Sequence, residues 1–147
     1  MNSIPRLLPT VARYLLGVLF FVFGLNGFLQ FLPQPPVPAA AGSFLGALAA
    51  TGYMFPLIKI IEVAGGAMLL SNRFVPLALA LLAPNVVNIV LFHAVLAPGG
   101  LVIAGIVLAL EIGLVIANRD AYAPMLRART ETKSTRTASL VTAPTAS

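Results

Sequence analysis

Four long apolar stretches, separated by short clusters of proline, glycine and polar residues, account for most of the chain. A helix needs about 20 such residues to cross the roughly 30 Å hydrocarbon core of a bilayer. The pattern predicts spans over residues 11–32, 54–70, 74–96 and 101–118. The first runs into Pro33, Pro35, Pro36 and Pro38, which cannot continue a helix. From Ala41 to Gly52 the chain is small and mildly apolar, too short to span, and reads as an outer interfacial or re-entrant helix. Ser71, Asn72 and Arg73 form one tight turn, and Pro98, Gly99 and Gly100 another. Pro84 deprives the Ala80 carbonyl of its helical donor, so a kink or an inserted polar partner is expected in the third span. The predicted class is all-α: a polytopic membrane protein with a four-transmembrane-helix bundle over residues 1–118. A basic, Ser/Thr-rich tail over residues 119–147 is expected to be disordered.

Composition supports the membrane class, because 59% of the 147 residues are hydrophobic and 9% charged, against roughly 25% charged in soluble domains. The bilayer is therefore the first partner, and the length leaves no room for a further soluble domain. A net charge of +5 raises the question of nucleic acid, but the basic residues are scattered at the ends of apolar segments and form no basic face. Nucleic acid is not an expected partner. The chain has no cysteine and one histidine, so neither a thiol relay nor a metal site is expected.

The basic residues are informative about orientation instead. Arg6 and Arg13 precede the first span, Arg73 lies between the second and third, and Arg119, Arg127, Arg129, Lys133 and Arg136 follow the fourth. The other two connections hold no lysine or arginine. The positive-inside rule then predicts that both termini are cytoplasmic. A cleaved signal peptide ending near Ala39 to Ala41 is the competing reading, but its apolar core of about 19 residues exceeds the usual 7 to 15.

Within the spans stand Asn26, Lys59, Glu62, Asn85, Asn88, His93 and Glu111, where an ionised group costs about 2.5 to 3.5 kcal/mol on the lenient insertion scale. Counted from the outer end of each predicted span, Asn26 is six residues in (32−26), Glu62 eight (62−54), Asn88 eight (96−88) and Glu111 ten (111−101). At about 1.5 Å per residue these form a layer near the midplane. Gln30, Lys59 and His93 form a second layer nearer the outer surface. Lys59, Glu62 and Gly66 fall on one stripe of the second span, and Leu81, Asn85, Asn88 and Phe92 on one stripe of the third. In a bundle these groups converge on an outward-leaning polar pocket.

Each group also has a structural reading. Lys59 and Glu62 can pair at i, i+3, the asparagines can hydrogen-bond between helices, and His93 can bind a loop carbonyl. Glu111 has no local partner and must be protonated or meet Asn26, Asn88, His93 or Lys59 across the bundle. Gly105, Ala109 and Gly113, roughly opposite Glu111, offer a close-packing face for a protein partner or a second copy.

Phe23 to Phe28 with Phe31 and Pro33, Ile61 to Gly66, Asn72 to Leu77, and then Asn85, Asn88 and His93 together resemble the DoxX family of small membrane proteins, over about residues 11–118. The resemblance implies a four-helix bundle in the bacterial inner membrane and an association with quinone-linked oxidation or oxidative-stress complexes. It carries over onto Asn26, Glu62, Asn88 and His93 without supplying a catalytic role, and the lack of cysteine argues against a thiol-relay version of the redox role.

Three functions follow as expectations. The first is a non-catalytic accessory subunit of a membrane redox or oxidative-stress complex. The second is a quinone-binding oxidoreductase subunit of the thiosulfate/quinone type, with quinone as the cofactor. The third is a proton or small-solute transporter, for which four spans are few and no inverted repeat is visible.

Overall fold

The computed structural model describes residues 4–33 and 36–126. Every regular element among them is helical: α1 Ile4–Leu29, α2 Ala39–Ala50, α3 Met54–Leu70, α4 Val75–Val95, α5 Leu101–Ala117 and α6 Arg119–Tyr122, with a 3-10 turn at Pro98–Gly100. Three helical stretches are long and apolar enough to cross a membrane, Leu7–Leu29, Val75–Val95 and Pro98–Ala117. The α2 and α3 helices, bent by 93° at the break between them, make a fourth if the pair is one broken span. The 17 residues of α3 rise about 25 Å, short of a full hydrocarbon core, and α2 turns off across its end.

Helix α1 packs on α3 and α5, α4 packs on the same two, and α2 lies against α3. The interior is built from Leu16, Phe20, Leu69, Leu79, Leu82, Val86, Val107 and Leu114. Outward faces are equally apolar, with Val95, Val102 and Ile103 exposed, whereas Arg13, Asn26, Glu62 and Glu111 are buried. Polar groups inside and bare aliphatic side chains outside are the arrangement that lipid demands. The chain is a multi-pass membrane protein of three or four spans.

Two expectations change at α1. The helix begins at Ile4 and stops at Leu29, before the proline cluster, because Gln30 turns left-handed (φ 49°) while its N–H still donates to the Asn26 carbonyl at 2.9 Å. Arg13, read from the sequence as a charge ahead of the span, lies inside the helix and is buried. Its Nη1 donates to the Leu69 carbonyl at the end of α3, and its guanidinium stands 4.3 Å from the centre of the Tyr14 ring. The negative end of the α3 dipole suits a cation there.

The closest helix contact joins α1 to α3 through glycines. A Cβ at Gly66 would stand 2.5 Å from the Phe21 backbone nitrogen, and one at Gly24 2.8 Å from the Val63 side chain. Gly17 abuts Leu69 and Leu70 in the same seam. The Gly105 and Gly113 face of α5, where the sequence suggested close packing, has nothing within 4 Å and points outward. Helix α4 continues unbroken through Pro84. The tail expected from residue 119 onward begins with α6, whose Tyr122 hydroxyl donates to the Pro76 carbonyl at 2.7 Å. Disorder expected further along falls outside the described residues.

Candidate functional site

Helix α3 carries the centre of the site. Lys59 and Glu62 stand one turn apart, and Lys59 Nζ donates to Glu62 Oε2 at 2.8 Å. The pair is enclosed, with Lys59 17% and Glu62 6% exposed at the side chain. Gly27 on α1 makes room for the lysine stem, since a Cβ there would stand 2.5 Å from Lys59 Cγ. The ammonium also lies 5.5 Å from the centre of the Phe55 ring. An ion pair in low dielectric survives when its geometry is good and its neighbours are polarisable, and both conditions hold.

Helix α4 supplies the facing wall. His93 Nδ1 is 3.0 Å from the Ala97 carbonyl. A carbonyl only accepts, so Nδ1 carries the proton and Nε2 is left for another partner. Gly100 packs against the imidazole so closely that a Cβ there would overlap the ring, which explains a glycine at that turn position. Phe92 meets His93 edge-on at 5.2 Å and Phe44 of α2 at 6.0 Å between ring centres.

Between these walls lies a cavity of about 290 Å³ bordered by α2, α3 and α4. Phe44, Phe55 and Phe92 give it aromatic sides, and Lys59, Glu62, Asn88 and His93 supply its polar groups. A second cavity of about 230 Å³ lies on the α1 and α5 side and is bordered by the same Lys59, Glu62 and His93, with Val107 among its apolar residues. The three polar side chains therefore form a partition between two apolar spaces.

Four of the seven residues singled out in the sequence thus meet: Lys59, Glu62, Asn88 and His93. The other three do not border either cavity. Asn26 is buried with its Oδ1 accepting the Leu32 N–H at 2.7 Å, so it fastens the chain after α1. Replacing Asn26 by leucine strands that amide and is expected to cost about 1 to 3 kcal/mol, read as a lower thermal midpoint in detergent with ligand binding retained; an unchanged midpoint would refute the fastening role. Glu111 sits in the interior and Asn85 is half-buried, and Asn85 Nδ2 and both Glu111 oxygens have no hydrogen-bond partner. The stripe of Leu81, Asn85, Asn88 and Phe92 is not the core face of α4, which is Val75, Ala78, Leu79, Leu82 and Val86. The helix each residue stands on was legible, but the direction it faces was not.

The sequence reading missed the α1 side of the seam. Gly17, Gly24 and Gly27 recur at i, i+7 and i+10, a one-face spacing that was available as a signal. Of the phenylalanine walls it placed only Phe92, on the stripe with Asn88, and missed Phe44 and Phe55, since single aromatics in apolar sequence carry no distinguishing pattern.

Among the described residues no cluster of three or more metal-ligating side chains occurs. What the site offers chemically is an apolar, partly aromatic cavity with hydrogen-bond donors: two N–H groups of Lys59 beyond the one given to Glu62, and the Asn88 amide. A scan against protein-family models finds no match, and searches of curated proteins and of solved structures find no relative.

Proposed function

We propose that this chain is a DoxX-like protein of the bacterial inner membrane, with four spans and both termini cytoplasmic. It acts as an accessory subunit that holds the carbonyl headgroup of a lipophilic quinone for a membrane redox partner. The observation that carries the reading is the enclosed Lys59–Glu62 pair beside Asn88 and His93 in a cavity whose other walls are Phe44, Phe55 and Phe92 with the aliphatic Leu45, Leu48, Ile58 and Ile89. Ammonium and amide donors suit quinone oxygens, aromatic rings suit its plane, and a volume of about 290 Å³ suits a headgroup whose tail lies in lipid. The accessory role is supported by the outward Gly105, Ala109 and Gly113 face, which allows another helix to approach closely. The orientation rests on the distribution of lysine and arginine.

Binding of a short-chain quinone to the protein in lipid nanodiscs tests the reading. Asn88 borders the cavity and is exposed, so Asn88→Leu leaves the fold intact. Loss of one hydrogen bond worth about 1.4 kcal/mol weakens binding roughly tenfold. Equal affinity of both proteins, or no binding to either, would rule the site out as a quinone site.

A further inference from the structure

Helices α3 and α4 are joined by a turn in which two residues are left-handed, Asn72 (φ 54°) and Phe74 (φ 56°). Asn72 follows the last turn of α3, and the Arg73 N–H donates back to the Met68 carbonyl at 3.0 Å, a closure that suits asparagine. Phe74 is a different case. The left-handed region disfavours a bulky side chain, yet this ring is 65% exposed and meets no other ring among the described residues. Packing within the chain does not account for a phenylalanine at a position where asparagine or glycine would relieve the backbone.

This end of the bundle is also basic. Arg73, beside Phe74, is exposed. Helix α5 ends here too, and the Tyr122–Pro76 hydrogen bond of 2.7 Å fastens α6 to the start of α4. Arg119 at the head of α6 is exposed, as are Met125 and Leu126 just after it. Of the three carboxylates among the described residues, Glu62 and Glu111 are buried in the helices, and Asp120 alone stands at this end. Asp120 is 3.9 Å from Arg119 with both side chains in the open, a pairing too weak to occupy the guanidinium. The connections at the opposite end, residues 30–38, 51–53 and 96–100, contain no lysine or arginine. One turn inward from Phe74 and Arg119, Leu77 of α4 and Ile116 of α5 are exposed, so the surface runs on into the lipid-facing sides of the helices. Arginines interleaved with bare aromatic and aliphatic side chains at that level match the boundary of a bilayer, with phosphates above and acyl carbons below.

We propose that this end of the bundle is an interfacial binding surface for anionic phospholipid, on which Arg73 and Arg119 hold phosphodiester headgroups while Phe74, Met125 and Leu126 sit among the acyl carbons just beneath. A guanidinium pairs its N–H groups with phosphate oxygens, and its aliphatic stem tolerates the apolar layer. Tyr122 is a positioning residue, because its bond to Pro76 keeps α6 beside the α3–α4 turn. The sequence continues with Arg127 and Arg129, which add charge of the same sign. The surface depends on neither the quinone site nor a partner protein.

Native mass spectrometry of the full chain, released from nanodiscs of equal phosphatidylglycerol and phosphatidylcholine, tests the surface. Lipid retained by the wild type should be enriched in phosphatidylglycerol, and the enrichment should fall roughly fivefold for each of Arg73→Gln and Arg119→Gln. Both side chains are exposed, so neither carries the fold. Asp120→Asn, which removes the acid at this end, should raise the enrichment. Phe74→Asn separates interface from fold: it should match or exceed the wild-type thermal midpoint in detergent, because asparagine tolerates the left-handed backbone, and yet retain less lipid. Equal retention of the two lipids by the wild type, or enrichment unchanged in both arginine variants, would overturn the proposal. A Phe74→Asn midpoint well below wild type would overturn the role of the ring. A co-purifying protein lost in the arginine variants, with lipid unselected, would assign the surface to a protein contact and overturn the lipid reading.

Discussion

Replacing Lys59 by methionine is expected to be among the most damaging single changes away from the glycine seam, at about 3 to 5 kcal/mol, because it leaves Glu62 buried without its partner. Glu62 is 5% exposed, and its hydrogen bond to Lys59 Nζ is 2.8 Å. The stem of Lys59 also fills the space over Gly27, and methionine retains most of that packing, so the loss is electrostatic. The double variant Lys59→Met with Glu62→Met should recover most of the stability, since an apolar pair pays no desolvation penalty. Reversible unfolding in detergent, or steric trapping in bicelles, measures both. If the single variant lies within about 0.5 kcal/mol of wild type, a range ordinary for an exposed pair, the enclosed-pair account is wrong. Quinone affinity separates role from stability: the double variant should fold well and bind poorly.

The second large effect is expected at Gly66. A Cβ there would stand 2.5 Å from the Phe21 nitrogen, 2.8 Å from the Phe21 Cα and 2.9 Å from the Gly17 carbonyl oxygen, all backbone atoms of α1. Backbone inside a helix cannot yield as a side-chain tip can, so α1 and α3 must part along their seam. Overpacking of this kind costs about 1 to 3 kcal/mol and occasionally more, and Gly66→Ala should lie at or above the top of that range. Gly113→Ala is the control, because nothing lies within 4 Å of that position. It should be neutral or mildly stabilising, as alanine is the better helix former by about 1 kcal/mol. Equal losses at the two positions would mean that the α1–α3 contact is not the tight seam described.

Much of the fold was legible because helix formation in an apolar segment is local. The bounds of α3 coincide with the predicted span, those of α4 differ by a residue at each end, and α5 ends one residue early. Proline and glycine punctuation carried that information. At α1 the same reasoning placed the end at the prolines, whereas a left-handed Gln30 and the Asn26 side chain close the helix earlier. A side chain folding back onto its own backbone leaves no mark in a hydropathy pattern.

The site was legible in part, for a related reason. Rise per residue is fixed, so counting along the predicted spans put Asn26, Glu62, Asn88 and Glu111 in one layer. Azimuth is set by which helices touch. Helix α3 meets α1 through Gly24 and Gly66, and that contact turns Lys59 and Glu62 toward His93. Glu111 faces the interior below that partition and joins neither cavity.

By itself, the sequence determined that this is a helical membrane protein and where most of its helices run, because hydropathy and helical rise are properties of a segment. Tertiary structure alone decided that Lys59, Glu62, Asn88 and His93 share a cavity, that Asn26 serves the backbone, that Arg13 is buried, and that Glu111 and Asn85 stand apart without partners. Those outcomes depend on how closely two backbones approach and how each helix is rotated against its neighbours. Both are set by contacts between residues far apart in the chain.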